Sequence, residues 1–192
     1  MPSIGLFGGS FDPIHHGHLI VARVALEALG LDQLRFLPAR EQPFKRGRHV
    51  APAGDRAVML ELAIAGSPGF AVERAELDRP GPSYTVDTLE AVQAREPDAQ
   101  LTLLLGADAA AELSAWHRAD QLPRLARIVV FGRPGTPVPT SPLVARSIEV
   151  PAVDISATEI RRRAQAGLPV RYWVPDAVAE YMVRHRLYLD PE

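Results

Sequence analysis

Short apolar runs alternate with segments of helical periodicity along most of the chain. The run Leu101–Leu105 is nearly continuous in apolar residues, which suits a strand buried on both faces of a sheet. Alternation of such strands with helices predicts an α/β fold with a parallel sheet. The predicted strands are Ser3–Phe7, Leu34–Pro38, Phe70–Glu73, Leu101–Leu105, Ile128–Phe131 and Ser147–Val150. The predicted helices are Leu19–Leu29, Asp55–Ala65, Thr85–Arg95, Ala109–Leu113, Ile155–Gln165 and Asp176–His185.

The size of the chain fits a single domain over residues 1–192. Its 192 residues are 47% apolar, and a chain of this length buries roughly 70% of its unfolded surface. We expect a Rossmann-like parallel sheet with helices on both faces, and a small C-terminal helical subdomain from about Ser156. The proline-rich segment Gly132–Pro142 is expected to be a surface excursion.

Composition narrows the class of protein. The net charge of −2 does not favour a nucleic-acid or membrane-surface partner. The absence of cysteine excludes disulfides, thiolate zinc sites and a cysteine nucleophile. No apolar run approaches the length of a membrane span, and the first strand begins too close to Met1 to leave room for a signal peptide. These observations predict a cytoplasmic enzyme.

The segment from Gly8 to His18 reads Gly-Gly-Ser-Phe-Asp-Pro-Ile-His-His-Gly-His and joins the first strand to the first helix. Glycines allow backbone N–H groups to approach a phosphate closely, and a helix N-terminus adds partial positive charge. An imidazole at His15 or His18 can donate to a phosphate oxygen, and a protonated one adds charge. The segment is neither a P-loop nor the dinucleotide-binding glycine pattern.

A histidine-ligated metal is the alternative for this segment. The flanking glycines and the lack of acidic partners favour a phosphate, and scattered carboxylates elsewhere offer no dedicated metal cage. His16 is expected to be structural.

A second anion site is predicted at the start of the helix after Ile155. Ser156 and Glu159 have the spacing of a capping box. With the Thr158 hydroxyl and Arg161 on the next turn, this helix N-terminus can hold an anion. Capping alone would explain Ser156, and solvent exposure would explain Arg162 and Arg163.

Three further regions have two interpretations each. Pro82–Leu89 could receive a carboxylate on free N–H groups, or be an ordinary helix start capped by Ser83 or Thr85. Asp108 could accept hydrogen bonds from a ribose diol, or cap a helix. Trp116 could stack on a ring, or belong to the core.

Lys45 is the single lysine among 21 basic residues, and it lies in the basic loop 40–49. A lysine is a mobile point charge that can follow a phosphate as charge develops. A solvated basic loop is the alternative.

Four segments together resemble the bacterial nicotinate-nucleotide adenylyltransferase family of the nucleotidyltransferase superfamily. They read GGSFDPIHHGHL, PSYTVDTL, LGAD and ISATEIR, and they span most of the chain. The resemblance implies transfer of the adenylyl group of ATP to nicotinate mononucleotide, giving nicotinate adenine dinucleotide and pyrophosphate. It implies catalytic roles for His15, His18, Lys45 and Arg161. It implies ATP contacts from Gly8, Gly9, Ser10, Phe11, Gly17, Gly106, Asp108, Ser156 and Thr158, and nicotinate mononucleotide contacts from Tyr84, Thr85 and Trp116.

The chain departs from that family at one point. Where the family usually has a Pro-Pro-His-Lys-like stretch, this sequence has Gln42-Pro43-Phe44-Lys45, so the histidine position holds Phe44. Mg²⁺ is expected to bridge phosphate oxygens, and a homo-oligomer is compatible with the sequence. Two alternatives stay open: another transferase of the superfamily, such as a pantetheine-phosphate adenylyltransferase or a cytidylyltransferase, and a non-catalytic ATP-sensing module.

Overall fold

The computed structural model describes residues 1–40, 50–132, 135 and 141–189. Its core is a sheet of six strands in the order β3-β2-β1-β4-β5-β6, and every neighbouring pair is parallel. The strands are β1 Ser3–Gly9, β2 Gln33–Pro38, β3 Phe70–Val72, β4 Gln100–Gly106, β5 Arg127–Gly132 and β6 Arg146–Glu149. All six predicted strands are confirmed, and no end is shifted by more than two residues.

The central pair of strands explains why the sequence folds this way. In β1, Leu6 lies opposite Leu103 of β4, and both side chains are almost fully buried. The next residue, Phe7, points to the other face and joins a second apolar core. Since both faces of the sheet bury apolar side chains, helices must cover both. The predicted Rossmann-like α/β architecture is therefore confirmed.

The helices cover the two faces of this sheet. They are α1 His16–Ala28, α2 Ala53–Ile64, α3 Ala75–Asp78, α4 Thr85–Arg95, α5 Ala107–Ala111, α6 Leu122–Leu125, α7 Ala157–Gln165 and α8 Asp176–Arg184. Sequence periodicity did not predict α3 or α6, because a four-residue helix is about one turn long, and periodicity shows only over several turns.

The two C-terminal helices share the core of the α1–α2 face. Ile160 of α7 and Val178 of α8 lie in the same buried cluster as Phe7 of β1. The Tyr181 hydroxyl donates to a carboxylate oxygen of Asp55 in α2 at 2.7 Å. The C-terminal segment is thus packed against the sheet domain.

Most of the predicted surface excursion, residues 133–134 and 136–140, lies outside the described residues. Among those that are described, no helix is both long and apolar enough to span a bilayer.

Candidate active site

A cleft of about 1210 Å³ opens at the carboxyl ends of β1 and β4. The strand order switches between these two strands, which is where ligands bind in open parallel sheets. The cleft brings together nearly all of the predicted site residues: Gly8, Gly9, Ser10, Phe11, His15, Gly17, His18, Tyr84, Thr85, Gly106, Asp108, Trp116, Thr158 and Arg161. Lys45 and Phe44 lie outside the described residues.

Close packing shapes the turn after β1. A Cβ atom on Gly9 would lie 2.9 Å from the Phe11 ring, so only glycine fits beneath that ring. Phe11 itself is buried in a left-handed conformation with φ of 47°. A Cβ atom on Gly17 would lie 3.0 Å from Nδ1 of His15. These two glycines therefore hold the turn and the first histidine in place through close contact.

His15 and His18 act as a pair. Their rings stack with centroids 3.7 Å apart. The backbone N–H of His15 donates to Nδ1 of His18 at 3.3 Å. A neutral imidazole that accepts at Nδ1 carries its proton on Nε2, so His18 retains an Nε2–H donor at the wall of the cleft. Nδ1 of His15 is buried and has no hydrogen-bond partner among the described residues.

Both histidines are neutral at pH 7 in the free protein. Burial lowers the pKa of His15 from its ordinary 6.5 to about 4, with a smaller contribution from the charge of His16. Burial, and then the neighbouring His15, also holds the pKa of His18 well below 6.5. The aromatic surroundings explain the desolvation, since the Phe11 ring lies 5.1 Å from that of His18. In the unliganded state the two imidazoles can therefore take part in hydrogen bonds but add no positive charge.

Arg161 joins the two predicted phosphate motifs. One guanidinium nitrogen donates to the backbone carbonyl of Asp12 at 2.7 Å, and the other donates to the Thr158 hydroxyl at 3.3 Å. These partners are neutral, so the positive charge of Arg161 is available to an anion in the cleft. Residues separated by 149 positions in the chain are thereby placed side by side.

Ser156 caps the helix that carries Arg161. Its hydroxyl accepts from the backbone N–H of Glu159 at 3.2 Å. The second half of the predicted capping box is replaced, because the Glu159 carboxylate pairs with Arg162 at 2.7 Å. The prediction that Arg162 is solvated holds only in part, since it is exposed but paired. Ser156 is not among the residues that line the cleft, and its contact with ATP stays a prediction.

A buried polar cluster behind the turn was not predicted as functional. Arg56 is almost fully buried and donates to the backbone carbonyls of Ser10 and Ala39, each at 2.7 Å. It also donates to Ala51 and Arg40 at 3.3 and 3.4 Å. Periodicity places Arg56 on an amphipathic helix, and nothing in the sequence distinguishes it from a solvated arginine.

Asp12 is the second member of this cluster. Its carboxylate accepts from the backbone N–H groups of Val50 and Ala51 at 2.8 and 3.2 Å, and from the Tyr188 hydroxyl at 2.7 Å. The turn motif includes Asp12, so the sequence contained a signal for it. Arg56 connects the Arg40 carbonyl to that of Ser10 in the turn, and Asp12 of the turn accepts from the N–H of Val50.

The opposite wall of the cleft is formed by the start of α4. Tyr84 occupies the N-cap position without a side-chain cap, so the alternative in which Ser83 or Thr85 caps this helix is wrong. The first backbone N–H groups of a helix have no intrahelical acceptor and can receive a carboxylate. The Tyr84 ring lies 4.4 Å from that of His117, and the half-buried Trp116 both packs on the core and lines the cleft.

Glu76 and Ser83 support this wall and were also missed. Glu76 is buried and accepts from the Thr88 hydroxyl at 3.0 Å. Burial raises the pKa of Glu76, while hydrogen bonds from Thr88 and Ser83 partly oppose that rise. The Ser83 hydroxyl also accepts from the backbone N–H of Arg40 at 3.1 Å. These contacts connect the α4 wall to the end of β2.

Asp108 projects from the first turn of α5 and is exposed at the rim of the cleft. The N-cap position belongs to Gly106, so the alternative that Asp108 caps this helix is wrong. Within residues 1–40, 50–132, 135 and 141–189, no group of three or more histidine or acidic side chains is placed to hold a metal ion.

Comparisons with known sequences agree with this geometry. Residues 6–163 match the family described as cytidylyltransferase-like. A protein of Thermus thermophilus named "Probable nicotinate-nucleotide adenylyltransferase" is 50% identical over 185 residues, covering 96% of this chain and 98% of that protein. A protein of the same name from Thermomicrobium roseum is 44% identical over 197 residues, covering 98% of this chain and 92% of that protein.

Solved structures share the fold at low sequence identity. Plasmodium falciparum nicotinic acid mononucleotide adenylyltransferase, in complex with NaAD, superposes with a TM-score of 0.79 at 17% identity and 98% coverage of each chain. The same enzyme in complex with APC gives a TM-score of 0.77, again at 17% identity and 98% coverage. The sequence relatives and the matched family together show that this chain is a nucleotidyltransferase and belongs to the nicotinate-nucleotide adenylyltransferases of the cytidylyltransferase-like family.

Proposed function

We propose that this protein transfers the adenylyl group of ATP to nicotinate mononucleotide and releases pyrophosphate. The observation that carries the proposal is the contact of Arg161 with the backbone carbonyl of Asp12, which joins both phosphate motifs in one cleft. Tyr84 and Thr85, at the start of α4, line the same cleft, and a helix N-terminus suits a carboxylate. The names of the sequence relatives support the same substrate pair.

The reaction needs no nucleophile from the protein. A phosphate oxygen of nicotinate mononucleotide attacks the α-phosphorus of ATP in line, and the bond from that phosphorus to the bridging oxygen of the β-phosphate breaks. One new phosphoanhydride bond forms, one is lost, and pyrophosphate leaves with the electron pair. Catalysis then consists of positioning the reactants and stabilising developing charge.

The triphosphate is held by the turn after β1 and by α7. The Nε2–H of His18 donates to an α-phosphate oxygen, where negative charge builds in the transition state. Arg161 and the Thr158 hydroxyl bind the β- and γ-phosphates, which become the leaving group. Lys45 is proposed for the same task, on the resemblance alone.

The acceptor is held by the α4 wall. The nicotinate carboxylate accepts from the backbone N–H of Thr85, since that of Tyr84 already donates to the carbonyl of Pro82 at 3.2 Å. The Tyr84 side chain lines the same wall, and the Trp116 ring stacks on the pyridine ring. A carboxylate gains more than an amide from a helix N-terminus, so the acid is favoured over nicotinamide mononucleotide.

Mg²⁺ is proposed to arrive bound to ATP. The described carboxylates do not form a cage for a metal ion. The Asp12 carboxylate, which lines the cleft, already accepts three hydrogen bonds from the protein. When bound, the metal would neutralise charge on the phosphate oxygens. A cytoplasmic location and a homo-oligomer remain predictions.

Pyrophosphate release with ATP and Mg²⁺ tests the function. Nicotinate mononucleotide, nicotinamide mononucleotide and phosphopantetheine are offered separately. We expect release with the nicotinate form about tenfold or more above the others, a gap of about 1.4 kcal/mol. Release with phosphopantetheine alone would show another transferase of the superfamily. ATP binding without release would show an ATP-sensing module.

A further inference from the structure

Tyr188 is a buried residue beyond the last helix that the proposed reaction does not use. It is 4% exposed and adopts a left-handed backbone conformation with φ of 63°. Such a conformation is unfavourable for a bulky side chain and persists only where the surroundings over-determine it. Its hydroxyl reaches across 176 positions of the chain to donate to Oδ1 of Asp12 at 2.7 Å.

Asp12 connects this hydroxyl to the ATP side of the cleft. Its carboxylate is buried, and a buried carboxylate needs hydrogen-bond donors to offset its desolvation. Besides Tyr188, Oδ1 has the backbone N–H of Ala51 at the longer distance of 3.2 Å, and Oδ2 has that of Val50. The backbone carbonyl of the same residue is the acceptor for Arg161.

We propose that Tyr188 is a positioning residue for the triphosphate, acting through Asp12 on Arg161. The inference rests on the proposed function, since it assigns the ATP phosphates to Arg161. Without the hydroxyl, Oδ1 of Asp12 keeps one long hydrogen bond, and the Asp12 peptide shifts to recover a donor. A shift there moves the acceptor that orients the Arg161 guanidinium. The acceptor wall at α4 has no part in this chain of contacts.

The substitution Tyr188→Phe removes one oxygen atom and leaves the ring in the core. The matched control is Tyr181→Phe in the same C-terminal segment, which also removes a 2.7 Å hydrogen bond to an aspartate, Asp55, but lies outside the cleft. Binding of a non-hydrolysable ATP analogue is measured by titration calorimetry without acceptor. Turnover and the KM for nicotinate mononucleotide are measured separately, and thermal unfolding is recorded for both variants.

For Tyr188→Phe we expect the dissociation constant of the analogue to rise about fivefold or more and kcat to fall by a similar factor, as when one well-placed hydrogen bond is lost. The KM for the acceptor should stay within about twofold. Tyr181→Phe should change the dissociation constant, kcat and the acceptor KM by no more than about twofold, even if its unfolding temperature falls as much as that of Tyr188→Phe. Binding by Tyr188→Phe within twofold of wild type would overturn the proposal.

The variant Asp12→Asn tests the route of the effect. If Tyr188 acts through Asp12, then Tyr188→Phe adds little to the binding defect of Asp12→Asn in the double variant. Full additivity would overturn the route. Unchanged affinity in Asp12→Asn would overturn it too, and this test does not depend on the folding of Tyr188→Phe.

Failure of the proposed function can be told apart from failure of this inference. If the wild type binds the analogue but transfers nothing to nicotinate mononucleotide, the proposed acceptor is wrong, and the binding data alone decide the positioning role of Tyr188. If the wild type does not bind the analogue, both fail.

Discussion

The two walls of the cleft are built differently. On the triphosphate wall, buried side chains are fixed by several contacts each: Gly17 lies under the His15 ring, and the Asp12 carboxylate has three donors. On the acceptor wall, Tyr84 and Trp116 are half-buried, and recognition depends on the N-terminus of α4. The triphosphate wall is thus preorganised for charge stabilisation. The acceptor wall uses only a few protein groups to select the acceptor.

His18→Ala should give the largest effect, because it removes the donor proposed for the developing charge. We expect kcat to fall about 100-fold or more, the usual loss of a transition-state donor, while the acceptor KM stays near that of wild type. His16→Ala is the control, since His16 is outside the cleft lining. Steady-state pyrophosphate release measures both, and near-normal turnover of His18→Ala would remove His18 from the mechanism.

Gly17→Ala should disturb the triphosphate wall through a steric clash with His15, without removing any polar group. The added methyl would lie 3.0–3.1 Å from the His15 ring, which must move. We expect kcat/KM for ATP to fall about tenfold or more, since small displacements of catalytic groups are costly.

Gly54→Ala is the matched control in another helix, because nothing lies within 4 Å of its added Cβ. It should leave kinetics unchanged and raise the free energy of unfolding by about 0.5–1 kcal/mol. Equal kinetic losses in both variants would contradict the close-contact explanation.

Trp116→Ala should affect the acceptor wall only. Loss of the stacking face is expected to raise the KM for nicotinate mononucleotide about fivefold to tenfold, from about 1–1.5 kcal/mol of ring contact. Trp173→Ala serves as the control, since that ring packs on Arg163 away from the cleft. An unchanged acceptor KM in Trp116→Ala would show that Trp116 is a core residue and does not bind the acceptor.

The pH dependence of kcat/KM for ATP should show the smallest change. This parameter reports the ionisation of the free enzyme, in which His15 and His18 are neutral because burial lowers the pKa of each. We expect less than a twofold change between pH 6.5 and 8. A required imidazolium would instead lower kcat/KM about tenfold per pH unit over this range.

The lowered pKa of His15 also predicts how the free energy of unfolding changes with pH. His15 has a pKa of about 4 when folded and an ordinary value of 6.5, so between these values the unfolded chain binds more protons. The free energy of unfolding therefore falls as pH drops from 6.5 towards 4. Denaturant unfolding at several pH values measures this. His15→Gln should reduce the slope, and the lowered pKa of His18 should account for the slope that is left.

The sequence predicted the features that depend on neighbours along the chain. The apolar strands and the glycine turn after β1 are local patterns, and alternation predicts a parallel sheet. The strand order, with its switch between β1 and β4, depends on pairing between distant segments and was not predicted. The positions of Arg56 and Tyr188 could not be predicted in this way. Arg56 binds backbone carbonyls, which no residue pattern encodes, and the partner of Tyr188 is 176 positions away.

Binding of a non-hydrolysable ATP analogue without acceptor tests the division of the cleft most directly. Titration calorimetry compares the wild type with Arg161→Ala and Trp116→Ala. The account predicts that Arg161→Ala binds about tenfold or more weakly, as expected for a lost charge-assisted hydrogen bond, and that Trp116→Ala binds like the wild type. Equal losses in the two variants, or no loss in Arg161→Ala, would contradict it.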